Sequence, residues 1–507
     1  MFNLKKRPWV FALLLSIFIS LNFFWSKPLV PGFDSPFYLT EIRTFARGFP
    51  NPLTYPHLDR YLTIAFPAIL ARAFNFDAVA VYRIAISIVY MAMSLVLYRL
   101  FKNLTQNELA AGALSAAMVV SPFLINYSTM LFANFTAFLY LFAFFAVETE
   151  KTFKYKNIIL GVIFGLVFYI HNFSFVSMGL IILSYLFFRL LITKDLIIIK
   201  KGLLIFIIAA LLGCLSISRY IKTEFFFPKV SAYDSVRSSI SKLTNLQAPT
   251  LIGNETQRIK DSLSDHSGKF WLYFFPLFML TVFVFKRKEL LKYSLDFTLP
   301  LAIFIPSLVL TFQPLYQLNF LPERFVTLVV LSTYFFYATM ISLPSFKRTI
   351  TFLSVLPLFF NYLSADNQIL DKGYRSFSEH EIKFYQDIKP LINKNGVVLL
   401  STDHYYWGKY FLDGYQVLPG EHFISCGTIN EVGYFSNVNF TLAKLLGEND
   451  PNKAIQYVSD LKIYLPNRNI YILSDTSLSC GSGKILQNLT VVRKIYISDN
   501  LIFYEII

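Results

Sequence analysis

The chain has 507 residues, of which 55% are hydrophobic and 18% are aromatic, while only 15% carry a charged side chain. This composition excludes a water-soluble globular protein and is typical of a polytopic membrane protein. The net charge of +15 does not indicate nucleic-acid binding, because the basic residues stand in short loops between apolar runs, where they set membrane topology.

The first predicted membrane span is the apolar run from Pro8 to Trp25. At ~1.5 Å of rise per residue, a helix of this length is enough for one crossing. Lys5, Lys6 and Arg7 precede the run and predict a cytoplasmic N-terminus. A cleaved secretory signal is the alternative, but no small-residue cleavage site stands out and many further apolar runs follow.

Directly beyond this span stands Gly32-Phe33-Asp34-Ser35-Pro36-Phe37-Tyr38. The predicted topology puts Asp34 on the outer side, close to the bilayer surface, where a carboxylate is costly unless it has a partner or a function. Ser35 and Pro36 favour a helix start, so Asp34 is either a helix cap without chemistry or a reactive carboxylate. The helix to Gly48 is amphipathic, which predicts that its apolar residues lie in the membrane interface: Tyr38, Ile42 and Phe45.

Ten further spans are predicted, which gives about eleven with the first. They cover residues 79–101, 108–122, 128–147, 157–171, 174–192, 202–219, 269–286, 294–312, 323–343 and 349–364. Lysine and arginine clusters recur on one side of this arrangement, as the positive-inside rule requires. These clusters are Lys102; Lys151, Lys154 and Lys156; Lys194, Lys200 and Lys201; Lys286, Arg287, Lys288 and Lys292; and Lys347 and Arg348.

Segment 57–76 is predicted to be an interfacial or re-entrant helix in the first outer loop, residues 27–78. Counting it as a span would put every later lysine cluster on the outside. A second long outer loop covers residues 220–268. The transmembrane domain is therefore predicted to be residues 1–364.

Residues 365–507 have the composition of a water-soluble domain, predicted to be extracytoplasmic. Strands are predicted at 396–401 and 469–474, and helices at 379–392 and 452–461, which indicates a small α/β domain. Cys426 and Cys480 both fall in this domain, as a disulfide or as two buried thiols. The predicted fold class is thus a polytopic α-helical membrane protein with interfacial helices in its first outer loop and a C-terminal α/β domain.

The motifs of soluble enzymes are missing: there is no P-loop, dinucleotide-binding glycine pattern, nucleophile elbow or paired-cysteine zinc spacing. The notable polar residues stand instead at the predicted outer ends of spans. They are Asp34, His57, Asp59, Arg60, His171, Asn172, Arg219, Glu323 and Arg324.

Several short elements resemble the GT-C superfamily of glycosyltransferases that use lipid-linked donors. A cytoplasmic tail and one span followed by Gly-x-Asp-Ser-x-x-Tyr is similar to the start of those proteins. Four further elements resemble theirs in order and topology, over about residues 1–345. They are Tyr55-Pro56-His57-Leu58, Tyr82-Arg83, His171-Asn172-Phe173-Ser174 and Pro322-Glu323-Arg324-Phe325.

The resemblance implies that a sugar is moved from a polyprenyl or dolichyl phosphate to a protein, lipid or glycan acceptor on the outer face. Such a transfer needs a base at the acceptor hydroxyl and positive charge on the departing phosphate. Asp34 suits the first need, and Arg324 and Arg219 suit the second, because a guanidinium contacts phosphate bidentately. His57, Arg60 and His171 are further candidates for binding the lipid phosphate.

Superfamily members that bind a divalent metal carry Asp-x-Asp in the first loop, whereas here Asp34 stands alone. This favours a metal-independent transferase of the protein-mannosyltransferase or aminoarabinose-transferase kind, which moves a single sugar with inversion. A divalent metal, Mg²⁺ or Mn²⁺, is the alternative that stays open. Bland alternatives stay open for each residue: a turn for His57, a hydrogen-bonded span end for His171, and a Glu323 partner for Arg324. For the protein as a whole, the alternatives are a transporter or flippase of an anionic lipid-linked substrate, and a non-catalytic envelope assembly protein.

Overall fold

The computed structural model describes most of the chain, in two compact units. One unit contains Met1–Phe33 and Thr44–Arg375, and the other contains Asp34–Arg43 and Ser376–Ile507. The described residues are 7–26, 28–30, 35–52, 55, 58–130, 132–150, 153–222, 269–311, 322–364, 378–400, 402–419, 424–425, 428–429, 437–476 and 483–507. The predicted outer loop 220–268 lies almost entirely outside these residues, and so do Asp34, His57, Cys426 and Cys480.

The first unit is helical. Its helices are α1 (Trp9–Ser20, continued by a π turn over Leu21–Trp25), α2 (Ser35–Arg47, whose first part belongs to the second unit), α3 (Tyr61–Phe74), α4 (Ala78–Thr105), α5 (Glu108–Val119), α6 (Pro122–Met130), α7 (Phe132–Thr149), α8 (Lys156–Leu166), α9 (Asn172–Thr193), α10 (Ile197–Lys222), α11 (Lys269–Lys292), α12 (Thr298–Thr311), α13 (Pro322–Ile341) and α14 (Ile350–Ser364). Short 3₁₀ turns cover Leu58–Arg60, Val167–Tyr169, Ser294–Phe297 and Pro344–Phe346.

Five helical stretches in the described part are long and apolar enough to cross a membrane, and each coincides with a predicted span. They are Ala78–Thr105, Phe132–Thr149, Asn172–Thr193, Ile197–Cys214 and Ser294–Thr311. Other predicted spans correspond to shorter apolar helices, among them Trp9–Trp25 and Phe325–Ile341. The ambiguous segment 57–76 forms the 3₁₀ turn and α3, which is 14 residues long and carries Pro67 in its interior.

Local sequence explains where these helices begin and how closely they pack. Asp77 caps α4 by accepting from the backbone N–H groups of Val79 and Ala80, at 2.5 and 3.0 Å. On α8, a Cβ added to Gly161 would lie 2.7 Å from the Cβ of Ile208, so the glycine permits α10 to approach. The amide of Asn361 is buried and is satisfied by the Ala117 carbonyl and the Tyr334 hydroxyl.

The second unit contains a five-stranded sheet in the order β2-β1-β5-β7-β6. Its strands are β1 (Gly396–Leu400), β2 (Gln416–Pro419), β5 (Asn469–Asp475), β6 (Val492–Ser498) and β7 (Leu501–Ile506), and a separate pair consists of β3 (Ile424–Ser425) and β4 (Thr428–Ile429). β1 pairs in parallel with β2 and β5, whereas β7 pairs antiparallel with β5 and β6. The helices of this unit are α15 (Glu379–Ile388), α16 (Thr402–Phe411), α17 (Asn437–Gly447) and α18 (Pro451–Tyr464).

The core of this unit lies between the sheet and helices α17 and α18. Val397 and Leu399 of β1 pack in it with Leu442 of α17 and Leu461 of α18, and all four are fully buried. β1 is buried along its whole length because helices cover it: Val397 and Leu399 pack against α17 and α18, and α16 also contacts β1. This explains its continuous apolar sequence. The predicted strands and helices of this region lie where the sequence indicates, although α15 is shorter than predicted and is followed by a 3₁₀ turn.

Candidate functional site

Helix α2 begins at Ser35, the residue after Asp34. Ser35 is buried, and so are Tyr38, Ile42 and Phe45, the apolar residues expected at the membrane interface. Protein atoms therefore cover the apolar face of α2, and its amphipathic pattern reflects packing inside the protein. Asp34 itself lies outside the described residues.

Within the second unit, Arg43 joins α2 to the end of α16. Its Nη1 donates a hydrogen bond of 2.9 Å to the carbonyl oxygen of Tyr410, and its guanidinium lies 4.1 Å from the centroid of the Tyr410 ring. The carboxylate of Asp413 is 3.7 Å from the same nitrogen. One side chain thus makes a hydrogen bond, a cation–π contact and an ion pair. The basic residues of the first loop were noticed in the sequence, but no pattern there indicates a partner more than 360 positions away.

The end of α2 and the start of α3 are held together by aromatic rings in the first unit. Phe45 packs edge-on against Tyr55 and Tyr61, at centroid distances of 5.0 and 5.2 Å. The turn Leu58–Arg60 precedes α3 and contacts the turn Val167–Tyr169, just before His171. Arg60, a candidate phosphate ligand, therefore belongs to an element that packs beside the start of α9.

His171 is the N-cap of α9 and is almost fully buried. Its Nδ1 accepts from the backbone N–H of Ser174 at 3.2 Å, which in a neutral imidazole leaves the proton on Nε2. The Ser174 hydroxyl lies 3.0 Å from Nδ1 and donates to Oδ1 of Asn134 on α7 at 3.2 Å. His171 and Ser174 both belong to an element predicted from the sequence, but Asn134 was not predicted, because its only signal in the sequence is an amide inside an apolar span.

The start of α13 lies beside the same place. The ring of Phe325 packs on that of Phe173 with centroids 5.2 Å apart, and Thr327 accepts a hydrogen bond from the Tyr127 hydroxyl at 3.0 Å. Arg324 immediately precedes Phe325, although its side chain is outside the described part. The structure therefore brings together the backbone elements that carry three predicted residues, namely Arg60, His171 and Arg324.

A narrow groove of about 20 Å³ opens at this cluster, between α6, α7, α9 and α13. Most of its wall is apolar, with Phe138, Leu141 and Leu328 among the lining residues. The polar groups are Tyr127, Asn134, Ser174 and Ser177; Ser174 is a hydrogen-bonded partner of His171, and Asn134 in turn accepts from the Ser174 hydroxyl. The groove therefore offers an apolar wall beside polar groups at the start of α9.

Arg83, from the Tyr82-Arg83 element, fixes the chain that leads to Asp34. Its Nη2 donates to the carbonyl oxygen of Pro28 at 2.8 Å, and its guanidinium lies 5.6 Å from the centroid of the Trp25 ring. The Trp25 indole in turn donates to the Ser87 hydroxyl at 3.3 Å. These contacts attach the end of the first apolar helix to α4.

The side chains of the remaining predicted site residues lie outside the described part of the chain. Arg219 lies on α10, but its side chain is outside the described part, as those of Asp59 and Arg324 are. Among the residues that the structure describes, no group of three or more His, Cys, Asp or Glu side chains is arranged to hold a metal ion.

Comparison with known proteins gives a fold but no close relative. No protein-family model matches the sequence, and no curated protein matches it. The crystal structure of the Archaeoglobus fulgidus oligosaccharyltransferase in complex with Zn and sulfate matches 93% of this chain and 68% of its own, with a TM-score of 0.58 and 13% identity.

Two structures of ArnT from Cupriavidus metallidurans, one apo and one bound to undecaprenyl phosphate, each match 98% of this chain and 97% of their own, with 8% identity. Their TM-score of 0.49 is too low to establish a shared fold. The fold assignment therefore rests on the archaeal structure, and the chain has the fold of that oligosaccharyltransferase.

Proposed function

We propose that this protein is an inverting glycosyltransferase of the GT-C kind, which moves one sugar from a polyprenyl or dolichyl phosphate to an acceptor on the outer face of the membrane. The proposal is supported by the oligosaccharyltransferase fold and by one arrangement of elements within it. The turn of Arg60, the capped start of α9 at His171 and the start of α13 lie together at the polar end of an apolar groove. A lipid-linked phosphate has the same combination of a polar head and an apolar tail.

In the proposed reaction the acceptor oxygen attacks the anomeric carbon while the bond from that carbon to the phosphate oxygen breaks. Asp34 takes the proton of the acceptor hydroxyl, and the lipid phosphate leaves with the bonding electrons. Attack opposite the leaving group inverts the configuration at the anomeric carbon. Positive charge that meets the departing phosphate lowers the barrier, which is the role we assign to Arg324, with Arg219 and Arg60 as further candidates.

His171 is assigned to the phosphate as well. Because Nδ1 accepts the N–H of the helix cap, a neutral imidazole offers its Nε2–H as a donor to the phosphate. The Ser174 contacts hold the ring in one orientation, and the Ser174 hydroxyl is in turn bonded to Asn134. A donor fixed in this way requires little reorganisation when phosphate charge develops.

A metal ion has no step in this proposal. The archaeal oligosaccharyltransferase was crystallised with Zn, but the first loop here has a lone Asp34 where metal-binding members carry two acids.

The test is conversion of lipid-linked sugars by the purified protein. Radiolabelled polyprenyl-phosphate sugars are incubated with the protein in detergent, and release of free polyprenyl phosphate is measured with and without membrane-extract acceptors. Turnover of one donor supports the transferase. Failure to cleave any donor contradicts it, and movement of intact lipid across a liposome without cleavage would identify a transporter instead.

A further inference from the structure

A second cavity, of about 70 Å³, lies at the other end of α9 from His171. It is enclosed by the end of α7, the start of α8, the end of α9 and the start of α10. The lysine clusters of the sequence predict that this end faces the cytoplasm. The cavity is therefore separate from the site proposed for transfer.

The carboxylate of Glu148 in this cavity is already matched by two cations. Arg189 Nη1 is 2.8 Å from one carboxylate oxygen, and Lys156 Nζ is 3.3 Å from the other. The Tyr185 hydroxyl adds a hydrogen bond of 3.4 Å to the oxygen that Arg189 contacts. Two positive side chains on one carboxylate leave an excess of positive charge in the cavity wall.

Arg189 uses only one of its nitrogens in these contacts. Nη1 serves both Glu148 and the Tyr185 hydroxyl, the latter at 3.2 Å. Nε is buried and has no hydrogen-bond partner, and Nη2 makes no hydrogen bond in the described part of the chain. The Nε–Nη2 edge of a guanidinium presents two parallel donors, the geometry that binds two oxygens of one phosphate.

Lys201 lines the same cavity and is exposed, and it forms no ion pair among the described residues. Lys194 and Lys200 are exposed nearby in sequence. The other acid of the lining is Asp195, whose carboxylate accepts from the backbone N–H of Ile197 at 2.9 Å. Positive side chains thus outnumber carboxylates around this cavity.

The opposite wall is apolar and contains Phe144, Leu186, Ile198 and Ile205. These residues belong to candidate membrane spans and, except for Leu186, are buried inside the protein. Exposed apolar residues of α9 and α10, among them Phe187 and Leu203, offer a surface to lipid. A purely ionic ligand has no use for such a wall. A phosphate that carries acyl chains matches both sides.

We propose that this cavity binds the headgroup of an anionic phospholipid from the inner leaflet, with its phosphate on Arg189 and Lys201 and its acyl chains along the exposed apolar residues of α9 and α10. Basic pockets between membrane helices on the cytoplasmic side are a known kind of site for anionic headgroups. The proposal is independent of the sugar-transfer function.

Native mass spectrometry of the detergent-purified protein tests the proposal, with phosphatidylglycerol as the probe. Phosphatidylcholine and inorganic phosphate are the comparison ligands. Lys201→Gln is the main variant, since Lys201 forms no ion pair among the residues that the structure describes. Arg189→Gln is a second variant, read together with its melting temperature because it also removes a partner of Glu148. Lys288→Gln is the matched control: Lys288 is an exposed lysine on α11, predicted to face the same side, and it is not among the cavity residues.

The expected result is retention of one phosphatidylglycerol, with affinity about fivefold lower in Lys201→Gln, the factor that corresponds to about 1 kcal/mol per basic residue at a membrane surface. Lys288→Gln should bind as the wild type does. Equal retention of phosphatidylcholine would overturn the role of charge. Equal competition by inorganic phosphate would overturn the role of the lipid, and equal loss in Lys288→Gln would overturn the assignment to this cavity.

Discussion

Replacement of Arg43 by alanine should loosen the first part of α2 from the second unit. The substitution removes a hydrogen bond from a charged donor to the Tyr410 carbonyl, worth about 1.5–3 kcal/mol in general, and a cation–π contact worth about 0.5–1 kcal/mol. The ion pair with Asp413 adds less than about 1 kcal/mol, because both side chains are 34% exposed. Solvent access argues for the lower half of these ranges, so the total expected loss is about 2–3 kcal/mol.

Hydrogen exchange measured by mass spectrometry gives this loss directly. Since about 1.4 kcal/mol corresponds to a factor of ten, amides in the first three turns of α2 should exchange roughly 30- to 100-fold faster in Arg43→Ala. Asp413→Asn removes the ion pair alone and should change exchange by less than about fivefold. Lys409→Ala, at an exposed cation on α16, is the matched control and should leave α2 unchanged. Unchanged protection of α2 in Arg43→Ala, or an equal effect in Lys409→Ala, would show that Arg43 does not hold the first part of α2 in place.

Three further predictions follow from the site. His171→Asn keeps a side chain that caps α9, so its melting temperature should stay near that of the wild type, whereas His171→Ala should lose about 1 kcal/mol of folding stability. Both variants should lower sugar transfer. Full activity in His171→Asn would show that the imidazole does not bind the phosphate. Activity should fall from wild type to Arg324→Lys to Arg324→Ala, by about 2–4 kcal/mol of barrier for Ala, and an equal loss of melting temperature in both would indicate a structural role instead. In a cysteine-free background, single cysteines in place of Lys154 and Lys288 should react with an impermeant thiol reagent only from the cytoplasmic side, and one in place of Asp460 only from outside. Labelling of the Lys288 position from outside would contradict the predicted topology.

Local patterns in the sequence predicted individual elements well. The apolar stretches 396–401 and 469–474 form β1 and β5, since an uninterrupted run of β-branched and apolar residues suits a strand buried on both faces. Five predicted spans coincide with long apolar helices because length and hydropathy are properties of the run itself.

Patterns that depend on distant partners were not predictable. The spacing of Tyr38, Ile42 and Phe45 shows that α2 has an apolar face, but it cannot show whether lipid or protein covers that face. The contacts of Arg43 with Tyr410 and of Ser174 with Asn134 join residues far apart in sequence, and no periodicity encodes them. His171 was recognised as a span-end residue, but its role as the cap of α9 depends on backbone geometry that only the structure gives.

The role of Asp34 as the base of a sugar transfer is tested most directly by the turnover of a lipid-linked sugar in the Asp34→Asn variant. Asp77→Asn is its matched control, because it makes the same change in the same loop at a helix cap that asparagine fills equally well. We expect both variants to insert and melt as the wild type does, with release of polyprenyl phosphate reduced by a factor of roughly 10²–10⁴ in Asp34→Asn alone. Turnover near the wild-type rate in Asp34→Asn would contradict the account.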